Sequence, residues 1–493
     1  MSRLPRTPPV TVLDAGIDLS PDPARTIVRF FVPGNEDVGP QDSRAGQIIE
    51  RVLELDTTEV ADAVERIDVQ FAGRLPRLAA VLEEHAALAV HRPEPRLALG
   101  SDRRRLLGAV FTHEYAIEGA ALCNPSIVRH PDQPADGSTA FVLSVRGIGE
   151  GHRSSIGFRT GRIDAQGAVT VDAAGPSAET GAVLPGTHHR EVLHRRLRER
   201  DDDHENAAYV LDPLPDAFDD HQLDRRLTAL EDDAATRRHT ATTAANLRDL
   251  ATCSYRIIYE SATPLGERVL WPRSPMERHG MEDARFVEIT DGRAPRYCAT
   301  YTAFDGEDIS QNLLTTEDFR VFDISPMAGA AARGKGLALF PRQVGGRYAA
   351  LSRADRETNS IAYSDDLRVW DATTLIQAPR RSWEIVQLGN CGSPLETPHG
   401  WLVLTHGVGP MRTYSIGAML LDLDEPEHVI ATGETPLLTP PDHAGYVPNV
   451  VYSCGAVIVG DTLVLPYGCG DRTIAVATLA VDELLDSLRG SRP

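Results

Sequence analysis

From about residue 105 onward the sequence predicts an all-β fold of repeated sheets, preceded by a helical extension and broken by one helical insertion. The first observation behind this is texture: short apolar runs such as Ala140 to Val145, Arg296 to Tyr301, Arg347 to Leu351, Trp401 to Thr405 and Thr462 to Tyr467 are separated by Gly, Asp and Pro. The second is an internal echo. Leu313-Leu314-Thr315-Thr316-Glu317-Asp318-Phe319 resembles Ile361-Ala362-Tyr363-Ser364-Asp365-Asp366-Leu367, with Asp318 and Asp366 48 residues apart. That spacing falls within the period of roughly 40–50 residues of β-propeller blades, and each segment reads as an inner strand ending in an acidic turn.

The elements before residue 105 differ. Residues 1–40 read as a Pro-rich extended entry with one strand candidate, Thr26 to Val32, rich in β-branched and aromatic residues. Over 42–92, Ile48, Ile49, Val52, Leu53, Val60, Val64, Ile67, Leu78, Ala79, Val81 and Leu82 recur at helical intervals among charged residues, which predicts two or three amphipathic helices that buttress the β domain. The expected organisation is a segment 1–104 and a β domain 105–493 interrupted at about 188–250. The interruption contains HHREVLHRRLRERDDDHE. Its His188, His189, His194 and His204 admit a metal reading, but the basic run between them has no ligand spacing and fits a solvated helix better.

Composition narrows the function. Fifty Lys and Arg against 71 Asp and Glu give a net charge of −21, so the mean surface field repels nucleic acid and anionic membranes. No run approaches the roughly 18 apolar residues of a membrane span, and the N-terminus lacks the apolar core of a secretory signal, which places the chain in the cytoplasm. Cys123, Cys253, Cys298, Cys391, Cys454 and Cys469 form no CxxC pair and read as buried thiols. Nucleophile-elbow, Walker and dinucleotide-binding motifs are absent from the sequence.

Three clusters carry candidate chemistry. The first is His279-Gly280-Met281-Glu282-Asp283-Ala284-Arg285-Phe286. Adjacent carboxylates beside an Arg can split their protonation, one ionising against the cation and one keeping its proton for acid catalysis, although Glu-Asp-x-Arg is also a common surface salt-bridge pattern. The second runs from Lys335 through Arg342 to Arg353, cations around apolar strands that need phosphate or neighbouring carboxylates as partners. The third is Gly389-Asn390-Cys391-Gly392-Ser393-Pro394, followed by Thr405-His406-Gly407-Val408-Gly409, which suits a pocket floor for sugar hydroxyls or equally a set of tight turns.

In this order the clusters resemble glycoside hydrolase family 130, the inverting β-mannoside phosphorylases and β-mannosidases. The resemblance extends from Asn124-Pro125-Ser126 and Val145-Arg146-Gly147 through GMEDARF, KGLALFPR, GNCGSP and LTHGVG to Gly445-Tyr446-Val447-Pro448-Asn449 and Tyr467-Gly468-Cys469-Gly470-Asp471. It implies a five-bladed propeller, and the helical N-terminus is similar to the long form that acts on β-1,2-linked oligomannosides. By resemblance Asp283 is the general acid, acting through the 3-hydroxyl of the bound mannose. Asn124, Arg146, Glu282, Arg285, Asn390, His406, Tyr446 and Asp471 contact sugar, and Lys335, Arg342 and Arg353 bind phosphate. The family implies manno-oligosaccharide and inorganic phosphate as substrates, glycosyl transfer to phosphate, no organic cofactor or metal, and a homo-oligomer.

Two positions depart from the pattern. Ala284 stands where the family most often has Pro, and Asp308-Ile309-Ser310-Gln311-Asn312 stands where many phosphorylases carry Arg. Without that cation a β-mannosidase using water is the alternative. Its base would come from Asp308, Asp355, Glu357 or Glu396. A sugar-binding propeller without catalysis is the second alternative.

Overall fold

The computed structural model describes residues 10–32, 43–75, 77–89, 99–175, 177–233, 237–290, 296–441 and 445–490. The expected extended entry at 1–9 and 33–40 lies outside them. The chain forms two compact units, one of residues 23–117 with 176–178 and one of the remainder, so residues 10–22 belong with the β-rich unit.

The smaller unit holds four helices, α1 (Arg44–Glu54), α2 (Thr57–Phe71), α3 (Leu78–Ala89) and α4 (Ser101–Val110), and a strand pair Thr26–Phe30 with Thr112–Ala116. Asp56 and Glu59 form a reciprocal cap at the start of α2, satisfying two otherwise orphaned amides. The fourth helix falls where the sequence pattern suggests the onset of β texture. Gly108 explains its seat: a Cβ there would lie 1.8 Å from the Leu82 carbonyl oxygen, so only glycine admits α4 this close to α3. Leu107 and Phe111 then join Ile49, Val52 and Ala86 in one core.

The larger unit is mostly β. Its strands form successive antiparallel ladders. The first runs Ala121–Arg129, Thr139–Ile148, Ser154–Ile163, Val169–Val171; the second Gly280–Ile289, Arg296–Phe304, Ile309–Thr316, Val321–Pro326, with Tyr255–Ile258 and Ala182–Pro185 outside it. A single parallel bridge, Gly280 to Ser154, joins these two. The third runs Ala338–Leu339, Tyr348–Ser352, Asn359–Ser364, Thr373–Gln377; the fourth Gln387–Asn390, Gly400–Gly409, Thr413–Leu421, Val429–Thr432. In the fifth, Val451–Tyr452, Thr462–Cys469 and Thr473–Ala480 are completed by Leu13–Leu19 from the other end of the chain. Phe158 of the first ladder packs on Phe286 and Phe322 of the second with ring centroids 6.0 and 5.6 Å apart, and Phe340 meets Trp401 between the third and fourth at 5.1 Å.

The internal echo holds at the level of the turn. Asp318 accepts the amides of Arg320 and Val321, and Asp366 those of Arg368 and Val369. The neighbouring residues Phe319 and Leu367 both have positive φ and both are buried. The echoed strands are third in their ladders, however, not inner ones, because the hydrophobic alternation that marks a strand does not encode its rank in a sheet.

The insertion folds into α5 (Arg190–Glu199), α6 (Glu205–Leu211), α7 (Asp220–Asp232) and α8 (Thr240–Ala251) around Leu197, Leu227 and Leu247. Two of its histidines are taken up by carboxylates: His188 Nε2 lies 2.5 Å from Asp220, and His194 bridges Asp203 and Asp212. Arg195 reaches Asp371 and Glu199 accepts the Gly329 amide, which ties α5 to loops of the third ladder. Among the described residues no helix is long and apolar enough to cross a membrane.

Candidate active site

Asp283 sits where strand Gly280–Ile289 bulges, between the paired residues Glu282 and Arg285, with φ of 55°. Asn124 occupies a similar bulge between Cys123 and Ser126 with φ of 47°, and Asp471 turns the chain at φ of 48°. Asn and Asp tolerate this left-handed region better than other non-glycine residues, and such conformations concentrate where a side chain must be aimed. Gly280 has φ of 150°, and a Cβ there would lie 2.7 Å from the Ser154 amide nitrogen. Its smallness lets the second ladder approach the first just before the two carboxylates.

Arg146, on strand Thr139–Ile148, is the hub of the acidic side. Its Nη2 is 2.5 Å from Glu282 Oε1, its Nη1 3.2 Å from Asp283 Oδ1, and its Nε donates to Ser154 Oγ at 2.9 Å. Arg285, expected to be the partner of the carboxylate pair, instead donates to the Asp283 backbone carbonyl and to the Tyr452 hydroxyl, each at 2.8 Å. On a strand, residues two apart share a face, but the bulge at Asp283 takes its carboxylate off that alignment. The pair does split. Burial pushes both carboxyls up. For Asp283 the charges of Arg146, Lys335 and Arg285 outweigh burial and hold it below its ordinary value, whereas Glu282 stays raised because Asp283 adds to its burial. Asp471 is also raised by burial.

The basic side is built differently. Arg353 is almost fully buried, its chain passing Gly336 and Gly389, where added Cβ atoms would lie 2.7 Å from its Cδ and 2.6 Å from its Nε. Its Nη2 donates to the Arg356 carbonyl at 3.0 Å, but its buried Nε has no hydrogen-bond partner. His406 is 1% exposed and stands edge-on to Tyr452, with ring centroids 4.7 Å apart. One ring nitrogen approaches the Asn390 backbone without a well-formed hydrogen bond, and both polar atoms of the wholly buried Asn390 side chain are unpartnered. Burial, then the cations Arg353 and Arg285, drive the His406 imidazole well below its ordinary value, so it is neutral. Lys335 is exposed beside these groups, and its charge is felt by Asp283, Glu282, Asp471 and His406.

The structure does not gather every candidate. Arg342 donates to Glu396 Oε1 at 3.0 and 2.8 Å and lies over the Trp401 ring, so that pair is engaged with itself and does not join Arg353. Asp355 is occupied by its own turn, accepting from the Glu357 and Thr358 amides and the Thr358 hydroxyl. Asp308 and Glu357 are exposed on loops. Tyr446 is 67% exposed, its ring 6.1 Å from His152.

Sequence reasoning passed over two groups. Tyr452 links Arg285 to His406, and nothing in its spacing announces it. Glu277, wholly buried, accepts from the hydroxyls of Tyr255 and Tyr301 and from the amides of Arg273 and Ser274, pinning the loop that feeds Gly280. The Ser274-x-x-Glu277 spacing of a capping box could have found it.

Comparison with known proteins identifies the family of the chain. The family model described as β-1,4-mannooligosaccharide phosphorylase, glycoside hydrolase family 130, matches residues 246–490. The 1,2-β-oligomannan phosphorylase of Thermoanaerobacter sp. (strain X514) is 34% identical over 233 residues, 45% of this chain and 75% of that protein. The β-1,2-mannobiose phosphorylase of Listeria innocua is 32% identical over 228 residues, 44% of this chain and 63% of that protein. A solved structure of a β-1,2-mannobiose phosphorylase from Listeria innocua aligns over 76% of this chain and 93% of its own at a TM-score of 0.45 and 20% identity. The family match over residues 246–490 and the 34% identical relative make the chain a glycoside-processing enzyme. The chain belongs to glycoside hydrolase family 130.

Proposed function

We propose that this enzyme is an inverting phosphorylase of β-mannosides, with β-1,2-linked manno-oligosaccharides as substrate, and that its five ladders are the blades of a propeller whose site is the cluster around Asp283. The observation that carries the reading is the set of buried groups with bonding capacity left over, Arg353 Nε, the His406 ring and the Asn390 amide, beside the exposed Lys335. Buried polar atoms without partners cost free energy, and cationic and dipolar ones facing together are a preformed seat for an anion. That its relatives are named β-mannoside phosphorylases favours phosphate as the anion.

In this scheme a phosphate oxygen attacks C1 of the terminal mannosyl unit from the face opposite the glycosidic oxygen. The C1–O bond breaks with its electrons leaving on oxygen, which takes a proton originating on Asp283 by way of the mannose 3-hydroxyl. The products are α-mannose 1-phosphate and a shortened sugar. Asp283 is held ionised by Arg146, Lys335 and Arg285 when phosphate is absent. A bound dianion cancels part of that positive field and raises the carboxyl, so Asp283 takes up a proton from solvent on phosphate binding and then passes it to the leaving oxygen. Arg146, Asn124 and Asp471 position the mannose, and the free thiols accord with our placing the chain in the cytoplasm.

Incubation with β-1,2-mannobiose, with and without inorganic phosphate, tests the reading. Mannose 1-phosphate formed only with phosphate is expected. Free mannose formed equally without phosphate would replace the phosphorylase by a hydrolase.

A further inference from the structure

Lys335 stands in a segment with little stiffness of its own. Its neighbours Gly334 and Gly336 have φ of 76° and 96°, a region open to glycine and costly for other residues, so the backbone on either side of the lysine has many states to choose from. The Lys335 side chain is exposed and makes no hydrogen bond or ion pair among the described residues. Its charge nevertheless acts on Asp283, Glu282, Asp471 and His406. Contacts from outside the segment must hold it in place.

Side chains from three directions grip the backbone of this loop. Glu199 of the insertion accepts the Gly329 amide at 3.3 Å, Ser352 of the third ladder donates to the Ala331 carbonyl at 2.7 Å, and Thr300 of the second donates to the Leu337 carbonyl. The grip nearest the lysine comes from Gln311 on strand Ile309–Thr316. Its Nε2 donates to the Gly334 carbonyl at 3.1 Å and to Thr302 Oγ1 at 3.2 Å. The Gly334 carbonyl belongs to the planar peptide unit that ends at the Lys335 Cα, so fixing that oxygen fixes where the lysine side chain starts. A carbonyl can only accept, which sets the orientation of the amide and spends both of its protons. Gln311 is buried, and its Oε1 is left without a partner. Burying a polar side chain with one atom unsatisfied costs free energy, and the two donated bonds are what this residue gives in return.

Gln311 also closes a row across the second ladder. Glu282 pairs with Thr302 and Thr302 with Gln311, and residues paired in this way share a face of the sheet. The row begins at the carboxylate bound to Arg146 and ends at the loop that carries Lys335. It ends within residues 308–312, the stretch whose sequence departs from the family pattern.

We propose that Gln311 is a positioning residue: by clamping the Gly334 carbonyl it fixes where the Lys335 ammonium stands relative to phosphate and to Asp283. The inference rests on the phosphorylase reading above. Sheet rungs, not the glycine-flanked loop, then set the spacing between the acidic and basic sides of the site.

The test is a double-mutant cycle on the full chain, with initial rates measured against phosphate at saturating β-1,2-mannobiose. Gln311→Met keeps an unbranched side chain of similar length that cannot donate. It is expected to raise the KM for phosphate about five- to tenfold, the scale of one lost hydrogen bond, with kcat changed less than about threefold. In a Lys335→Ala background the same substitution should add less than about twofold, because the clamp then has no ammonium to place. The Asp283 limb of the pH profile should move upward in Gln311→Met, the direction in which Lys335→Ala moves it. Gln311→Asn, one methylene shorter, should reproduce these effects and carries the test if the methionine variant does not fold. Effects of Gln311 and Lys335 that multiply, an unchanged KM for phosphate, or a loss confined to kcat would overturn the inference and leave the phosphorylase reading standing. Absence of phosphate-dependent product from the wild-type enzyme removes the phosphorylase reading, and the clamp with it.

Discussion

The two sides of the candidate site solve opposite problems. On the acidic side Arg146 satisfies Glu282, Asp283 and Ser154 at once, and the cluster is complete without a ligand. On the basic side Arg353, His406 and Asn390 are buried with bonding capacity left over. A satisfied cluster holds geometry, whereas an unsatisfied one stores affinity, because a ligand that fills it offsets the desolvation cost of folding. On the proposed reading, the acid sits in a rigid frame and the co-substrate seat is left open.

The comparison breaks most visibly at Asp283. Asp283→Asn keeps an αL-tolerant side chain and the Arg146 contact while deleting the proton, so turnover of unactivated mannosides should fall roughly 10³-fold, with the KM for phosphate little changed. Activity within tenfold of wild type would remove the residue from its role. On the other side, Arg353→Ala should raise the KM for phosphate by about 10- to 100-fold while the fold persists, as measured by initial rates against phosphate and by circular dichroism. Lys335→Ala should weaken phosphate in the same direction. It should also move the Asp283 ionisation upward in the pH profile of the free enzyme, since the Lys335 charge helps depress it.

Smaller effects sharpen the boundary between the two sides. Tyr452→Phe removes the hydroxyl that caps Arg285 Nη2 inside the protein and should cost about 1.5–3 kcal/mol in denaturant unfolding. The smallest is a pH dependence. His406 is buried neutral, so below its ordinary value of 6.5 the unfolded chain takes up a proton that the folded one refuses. Its neutral burial is thus without penalty above about pH 6.5, and stability drops as pH falls from there toward the depressed folded value. His406→Gln should flatten that part of the stability curve, measured as unfolding midpoints between about pH 7 and 5. An unchanged slope would show that other groups dominate it.

Much of the fold and part of the site were legible in the sequence. The strand texture and the Asp318 and Asp366 echo are local, and local patterns survive into the structure as turns with the same two amide contacts. The carboxylate pair was visible as a motif, but its cation was not. Arg146 is more than a hundred residues from Asp283, and contacts between the first and second ladders such as the Gly280 to Ser154 bridge bring their strands together. Arg342 misled because residue type was all the sequence offered, and its commitment to Glu396 over Trp401 depends on how the third and fourth ladders meet. Helix α4 was missed for a similar reason. A triple arginine followed by two leucines gives little periodicity, and its place depends on the close approach that Gly108 permits.

The strand Leu13–Leu19 lies against Thr473–Ala480, so Leu13 faces Thr478 across nearly the whole length of the chain. During synthesis the fifth ladder cannot be finished until the last strand has left the ribosome, and the first strand must wait unpaired for that partner. Loop-closure entropy grows only logarithmically with length, so the wait is tolerable at equilibrium but slow in time. A chain deprived of residues 10–20 would leave the Thr473–Ala480 edge bare. Such a product would be more prone to associate edge to edge than to lose its active-site geometry.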